Sequence, residues 1–364
     1  LGYADGIFRK CPKCKGSKAY TTAKKCQEHD VETKALRKVS FVDAPGHESL
    51  MATMLSGATI MDAALLLVAA NEKCPQPQTR EHLMALEIAQ MKNVVVVQNK
   101  IDLVSEEEAI KNYQDIKKLL KGTSFENAPI IPISAQHKVN IDVLIEAIEE
   151  NMPTPKRDLK KDPIMFVARS FDINKPGITP EELQGGVLGG VLVEGKLKTK
   201  TEVEIKPGLR IEKEGRTFYE PIITKIESLV TGGQQVDEVQ PGGNIGVQTL
   251  LDPTLVKADK LVGSVLGSKG KLPEVYETLK LEVHLLERVV GVEDELNVEP
   301  VKMEEMLMLN VNSGATVGTV TELAKDAAVF RLKRPVCANV GSRVVMSRRI
   351  SNRFRLIGYG VIKK

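Results

Sequence analysis

Between Val39 and Asn151 the chain repeats one pattern: a short apolar run, a break, then a stretch with helical spacing of apolar residues. KVSFVD (Lys38–Asp43), AALLLVAA (Ala63–Ala70), NVVVVQNK (Asn93–Lys100) and APIIPIS (Ala128–Ser134) read as four buried strands. SLMATMLSGAT, QTREHLMALEIAQ and EEEAIKNYQDIKKLLKG lie between them, and NIDVLIEAIEENM follows the last; all four have helical spacing. Such alternation predicts a parallel sheet covered by helices. PTPKRDLKKDP (Pro153–Pro163) ends the pattern and reads as an interdomain linker. Beyond it, short strands punctuated by GGVLGGVLVEG, KPG, TGG and QPGG predict all-β structure, a barrel in each of two blocks divided by GSKGKLP (Gly267–Pro273). The expected fold class is therefore multidomain α/β plus all-β, divided at residues 1–155, 156–268 and 269–364.

A length of 364 residues is too great for one compact core and suits this division. The longest apolar run, Ala63–Ala70, is far too short to span a bilayer, so no membrane is expected. Five cysteines, three of them clustered, argue against a secreted disulfide scaffold and for a cytoplasmic protein. The net charge of +3 hides an imbalance, because no acidic residue follows Asp326. Arg331, Lys333, Arg334, Arg343, Arg348, Arg349, Arg353, Arg355, Lys363 and Lys364 all do, which points to RNA contact in the C-terminal third or to a solvated basic surface. Arg348 and Arg349, being adjacent, would face opposite sides of a strand, so the tail cannot form one basic face.

Three short motifs follow three of the strands. NKID sets Asn99, Lys100 and Asp102 at the C-terminal end of VVVVQ, where side chains of an open α/β sheet reach the ligand crevice. A carboxylate there accepts two hydrogen bonds from the ring N–H and exocyclic amine of guanine, a donor pair adenine lacks. Asn99 would touch the base and brace the loops, and the Lys100 stem would lie along the ring. The turn at Ser134, Ala135 and Gln136 offers main-chain N–H groups to the guanine carbonyl. In DAPGH, Asp43 is placed to hold Mg²⁺ through water, Gly46 lets an N–H approach a terminal phosphate, and His47 would orient attacking water. Taken singly, each motif also reads as an ordinary surface turn; their order after successive strands favours the nucleotide. Separately, Cys11, Cys14, Cys26 and His29 form C-x₂-C-x₁₁-C-x₂-H within residues 9–32, the ligand spacing of a closed structural zinc site. The alternatives are that His29 is merely nearby or that the metal is lost. Cys74 and Cys337 stand alone and read as packing residues.

With these motifs followed by two β domains, the chain resembles translational GTPases of the elongation factor Tu type. SFVDAPGHESLMATMLSGATIMDAALLLVAANEKCPQPQTREHLMALEI, RSFDINKPG, GGVLGG, LLERVVG and RLIGYG narrow the resemblance to the gamma subunit of archaeal and eukaryotic translation initiation factor 2. It covers essentially the whole chain and implies a Ras-like G domain (residues 1–155) with a zinc knuckle, usually of four cysteines, so that His29 replaces the last. It also implies GTP/GDP and Mg²⁺ as ligands, and hydrolysis as the activity. Implied partners are an alpha subunit on domain II, a beta subunit on the G domain, initiator methionyl-tRNA and the small ribosomal subunit. The family carries a glycine-rich phosphate loop with a Lys-Thr pair and a first switch, and neither is spelled here. Leu1 in place of Met gives the expectation that several tens of residues precede it. Two other readings are kept, a nucleotide-free docking subunit and an elongator-type carrier of any aminoacyl-tRNA. LKTKTEVE (Leu197–Glu204) departs from the family's Val-Gly-Asp turn and puts that hairpin in question.

Overall fold

The computed structural model describes residues 2–43, 61–287, 289, 297–350 and 353–364. In the first part, β1 (Gly2–Lys10), β2 (Tyr20–Thr21) and β3 (Lys34–Asp43) form an antiparallel sheet in the order β2-β1-β3. A second sheet is parallel and has the order β4 (Ala64–Ala69), β5 (Val94–Asn99), β6 (Ile130–Pro132). The helices are α1 (Pro77–Ile88), α2 (Glu106–Leu120) and α3 (Ile141–Asn151). α2 starts at a reciprocal cap, in which Ser105 Oγ accepts from Glu108 N–H and Glu108 Oε2 accepts from Ser105 N–H.

Two sequence expectations are corrected here. KVSFVD does not join the parallel sheet: it pairs antiparallel with β1 from Gly2↔Asp43 to Lys10↔Lys34, and its residues are half-buried or exposed. An apolar-polar alternation specifies a strand but not its partner. Nor is AALLLVAA buried throughout, since Leu67 is 59% exposed and one face of β4 stands open among the described residues. The two sheets share one hydrophobic cluster, in which Phe8 and Val39 meet Val95, Ile131, Ile145 and Ile148. SLMATMLSGAT lies outside the described residues.

Two barrels follow. In the first, β7 (Ile164–Phe171), β8 (Val187–Glu194), β10 (Glu202–Lys213), β11 (Arg216–Thr231), β14 (Asn244–Thr249) and β15 (Val265–Gly267) form a ring. Its order β10-β15-β7-β8-β14-β11 closes where β11 pairs with β10. The short β12 (Gln234–Val236) extends it, and β9 (Leu197–Lys198) pairs with β13 (Glu238–Val239). In the second, β16 (Val275–Leu285), β17 (Met306–Val311), β18 (Gly314–Ala324), β19 (Ala327–Cys337), β20 (Arg343–Ile350) and β21 (Arg353–Lys363) close in the order β16-β19-β18-β17-β20-β21. Each barrel is filled by its own aliphatic cluster. The turn at LKTKTEVE joins two strands that do not pair with each other, β9 lying on β13 and β10 on β11, so the expected hairpin gives way to a turn held against β11: Lys200 takes the left-handed position at φ 64°, its N–H donates to Ile226 O, and Ile226 N–H returns to Thr201 O. A lysine there costs about 1 kcal/mol relative to glycine, and the two main-chain bonds hold it. No described helix is long and apolar enough to cross a membrane.

The barrels touch backbone to backbone where Gly263 meets Gly314, and a Cβ built on Gly314 would lie 2.9 Å from Gly263 Cα. Beside them Ser313 Oγ donates to Val167 O across the same boundary. Gly314 does not sit at positive φ, so Gly314→Ala tests the close approach alone. It should destabilise the barrel pair by about 1–3 kcal/mol, as overpacking does. A urea midpoint equal to that of the parent protein would show that the barrels have room to part.

Much of the basic tail is engaged internally. Arg334 donates to Lys260 O, Arg343 to Ile88 O, Arg348 pairs with Glu305, Arg355 with Glu81, and Lys363 with Glu282. Arg348 is half-buried and Arg349 exposed, as the strand alternation predicts. Part of the charge imbalance of the C-terminal third thus binds domains and loops together, while Arg331, Lys333 and Lys364 stay exposed.

Candidate functional site

β5 is the element that positions the first motif. Val94 to Val97 are buried on both sides, and Gln98, only 1% exposed, continues the run. Its amide donates to Ala109 O and to Asn112 Oδ1, and the Asn112 amide donates in turn to Glu72 O. This buried network fastens the end of β5 to α2 and to the loop after β4. Sequence reading passed over Gln98 and Asn112, although one polar residue closing a run of four valines was the signal.

Asn99 follows, and its Oδ1 accepts two main-chain N–H groups, from Lys100 at 2.8 Å and from Ala135 at 3.1 Å. It thus clamps the NKID loop to the Ser-Ala turn. Lys100 adopts the left-handed conformation at φ 64°, which folds the chain back so that Ile101–Leu103 form a single helical turn carrying Asp102. A lysine in that conformation is a strained residue held by its surroundings. Its Nζ lies 3.8 Å from Glu72 Oε1.

Ser134 is fully buried, bridged to Val139 through main-chain bonds, and its Oγ accepts from His137 N–H. Its hydroxyl also acts on the neighbouring Asp102 carboxylate. The Ser134 hydroxyl is the largest influence holding Asp102 below the ordinary carboxylate range; partial desolvation opposes it, while Asp102's own N–H and nearby His137 reinforce it. His137 Nε2 lies 3.7 Å from Asp102 Oδ2, a neighbour the motif did not announce. Ala135 N–H is spent on Asn99, whereas among the described residues Gln136 N–H has no partner. The loop therefore presents an ionised carboxylate, a free main-chain donor and a lysine stem on one rim, the complement of a planar ring with adjacent donors and a carbonyl.

Asp43 ends β3, exposed and opposite Gly2. Gly46 and His47 lie outside the described residues.

The cysteine-histidine cluster hangs between β1 and β3. All four ligand atoms of Cys11, Cys14, Cys26 and His29 lie within 4.8 Å of one another. Cys14 Sγ is 3.7 Å from Cys26 Sγ, and His29 Nδ1 is 3.2 Å from Cys14 Sγ, 3.8 Å from Cys26 Sγ and 3.9 Å from Cys11 Sγ. Zn–S bonds of about 2.3 Å at tetrahedral angles set sulfurs about 3.8 Å apart, so the donors fit a zinc ion with His29 as fourth ligand. Burial pushes the Cys11 thiol up, but the N–H groups of Lys13 and Cys14 and the other two sulfurs outweigh it and bring it to about 6. Cys14 is pushed up to about 12 by burial and by the thiols of Cys11 and Cys26. Sulfurs this close repel one another when ionised, so all three ionise together only around a cation. Cys74 and Cys337 pack in apolar clusters, as expected.

Comparison with known proteins accords with this arrangement. Residues 16–154 match the elongation factor Tu GTP binding domain, and residues 277–362 match the initiation factor eIF2 gamma C-terminal domain. The translation initiation factor 2 subunit gamma of Pyrococcus horikoshii is 58% identical over 364 residues, covering 100% of this chain and 88% of that protein. Its counterpart from Archaeoglobus fulgidus is 58% identical over 363 residues, again 100% of this chain and 85% of the relative. The chain belongs to the translation initiation factor 2 gamma family. It is a GTP-binding translational GTPase of the elongation factor Tu class. Among solved structures, elongation factor SelB from Methanococcus maripaludis with the GTP analogue GppNHp superposes at a TM-score of 0.72. It is 22% identical, over 92% of this chain and 72% of that one, a likeness of fold.

Proposed function

We propose that this chain is the guanine-nucleotide switch of an initiation factor that carries initiator methionyl-tRNA to the small ribosomal subunit. The observation that carries the reading is the clamp of Asn99 on Ala135 with Asp102 held ionised by Ser134, a socket shaped for guanine. Asp102 accepts the ring N–H and the exocyclic amine, Gln136 N–H donates to the ring carbonyl, and the Lys100 stem covers one face. Asp43 would hold the Mg²⁺ that offsets phosphate charge, Gly46 N–H would meet the terminal phosphate, and His47 would orient water for attack on it. GTP orders the segments around DAPGH and aligns the G domain with the barrels for tRNA; hydrolysis releases it. An alpha subunit on domain II and a beta subunit on the G domain complete the factor, in the cytoplasm.

The test is competition between initiator and elongator methionyl-tRNA for the protein with GTP or GDP bound. Initiator tRNA should win, and only with GTP. Equal affinity for both tRNAs would indicate an elongator-type carrier, and indifference to nucleotide a docking subunit.

The knuckle would hold Zn²⁺ through Cys11, Cys14, Cys26 and His29 as a closed structural site. Cys14→Ser should lower bound zinc, measured by elemental mass spectrometry, to well below one equivalent and open residues 9–32 to protease. His29→Cys should keep the metal. Full zinc retention by Cys14→Ser would remove that cysteine from the ligand set.

A further inference from the structure

Between Arg9 and Ala35 the knuckle carries eight basic residues against three acidic ones, Glu28, Asp30 and Glu32. Asp30 is paired with Lys25, and Lys10 rests on the Tyr20 ring and hydroxyl. Lys13, Lys15, Lys18, Lys24 and Lys34 are exposed and, among the described residues, make no ion pair. Lys10 and Lys34 stand directly opposite one another in the β1–β3 ladder, an arrangement of like charges that opposes pairing unless something neutralises it. Three thiolates and one Zn²⁺ would leave the metal centre at about −1, which offsets a single lysine.

We propose that this knuckle is an RNA-docking face that grips a phosphodiester backbone without reading bases. No large hydrophobic side chain between Phe8 and Ala35 is among those exposed, and only Ile7 and Leu36 stand exposed at its edge, so the knuckle loops themselves carry no apolar or aromatic anchor of the kind on which protein partners depend. Phosphates need no such anchor, and lysines serve as mobile point charges for them. Tyr20, the one aromatic ring there, is half-buried beneath Lys10, which leaves no platform for base stacking. The four metal ligands fix the two loops bearing Lys13, Lys15 and Lys24 at short range, so the charges are presented together. In the C-terminal tail, by comparison, Arg343, Arg348 and Arg355 are turned to internal partners. The proposal rests on the translational reading only in choosing RNA among polyanions.

The test uses the zinc-loaded protein without nucleotide, a fluorescein-labelled RNA duplex of arbitrary sequence, and anisotropy across a series of KCl concentrations. Lys13→Gln/Lys15→Gln/Lys24→Gln should weaken binding at least about tenfold at low salt and flatten the log–log salt slope by about three. Lys111→Gln/Lys213→Gln/Lys325→Gln, which removes the same charge from other exposed positions, should change affinity less than about twofold. Arginine at the three knuckle positions should restore binding. Equal losses from both glutamine sets would reduce the effect to net charge and overturn the proposal, as would an unchanged knuckle variant. Polyglutamate displacing the RNA at matched charge concentration would also overturn it, by assigning the face to acidic proteins. GDP affinity measured on the same variants keeps the two claims apart: if GDP fails to bind at all while RNA binding tracks the knuckle, the nucleotide reading falls and this one stands.

Discussion

Asp102→Asn should reverse the base preference of the protein, from guanosine towards xanthosine nucleotides. The carboxylate accepts two N–H bonds from guanine, and bonds to a charged acceptor are worth about 1.5–3 kcal/mol each. An amide keeps one acceptor, turns a donor towards the ring and loses the charge. A fall in GTP affinity of about a hundredfold or more follows, that is, about 3 kcal/mol or above. Xanthine puts a carbonyl where guanine has its amine, so the new donor gains a partner. Competition binding with GDP, XDP and ADP reads the crossover, and unchanged order among the three would place base recognition elsewhere. The same geometry predicts pH behaviour. Asp102 is held below the usual carboxylate range chiefly by Ser134, so binding should persist as pH falls through that range and fade only below it. Ser134→Ala should move that loss to higher pH.

The second large effect concerns the contact between α1 and the last barrel. Glu81 is 0% exposed, and its Oε1 accepts from Arg355 Nη1 of β21 at 2.9 Å. Ala85 and Ile88, on the same helical face at i+4 and i+7, pack with Val345 and Leu356, and Arg343 caps the helix end at Ile88 O while lying over the Tyr359 ring. Burial raises the Glu81 pKa and Arg355 opposes the rise, so the carboxylate depends on its partner. Glu81→Ala removes the buried acceptor of Arg355 Nη1 and should cost about 1.5–3 kcal/mol, the worth of a hydrogen bond between charged groups, seen as early unfolding and faster hydrogen exchange in both α1 and β21. If this variant exchanges no faster than the parent, the pair is dispensable for docking.

What could be read from the chain follows from physics that is local. NVVVVQ announces β5 because four valines buried on both faces leave a continuous apolar signature, and NKID then falls where a parallel strand must end. The metal ligands are legible for the same reason, since a tetrahedral site needs two close pairs. KVSFVD was harder: both it and GYADGIFRK look like strands, but their antiparallel pairing is a long-range fact that a period of two does not encode. APIIPIS shrinks to Ile130–Pro132 because Pro129 and Pro132 cannot donate to a ladder. The closing of each barrel, β11 on β10 and β21 on β16, likewise depends on register across long separations. Glu81 was visible only as an acid on an apolar helix face, and composition could not tell the tail arginines that pair internally, such as Arg348 and Arg355, from exposed ones such as Arg331.

The most direct measurement is displacement of a fluorescent GDP analogue from the protein by unlabelled GDP and ADP at equilibrium. A site built by Asn99, Asp102 and the Ser134 turn should let GDP compete at concentrations at least about a hundredfold below those needed for ADP, because adenine offers no donor pair to the carboxylate. Equal competition by ADP, or no saturable binding of the analogue, would contradict the assignment of this loop to guanine.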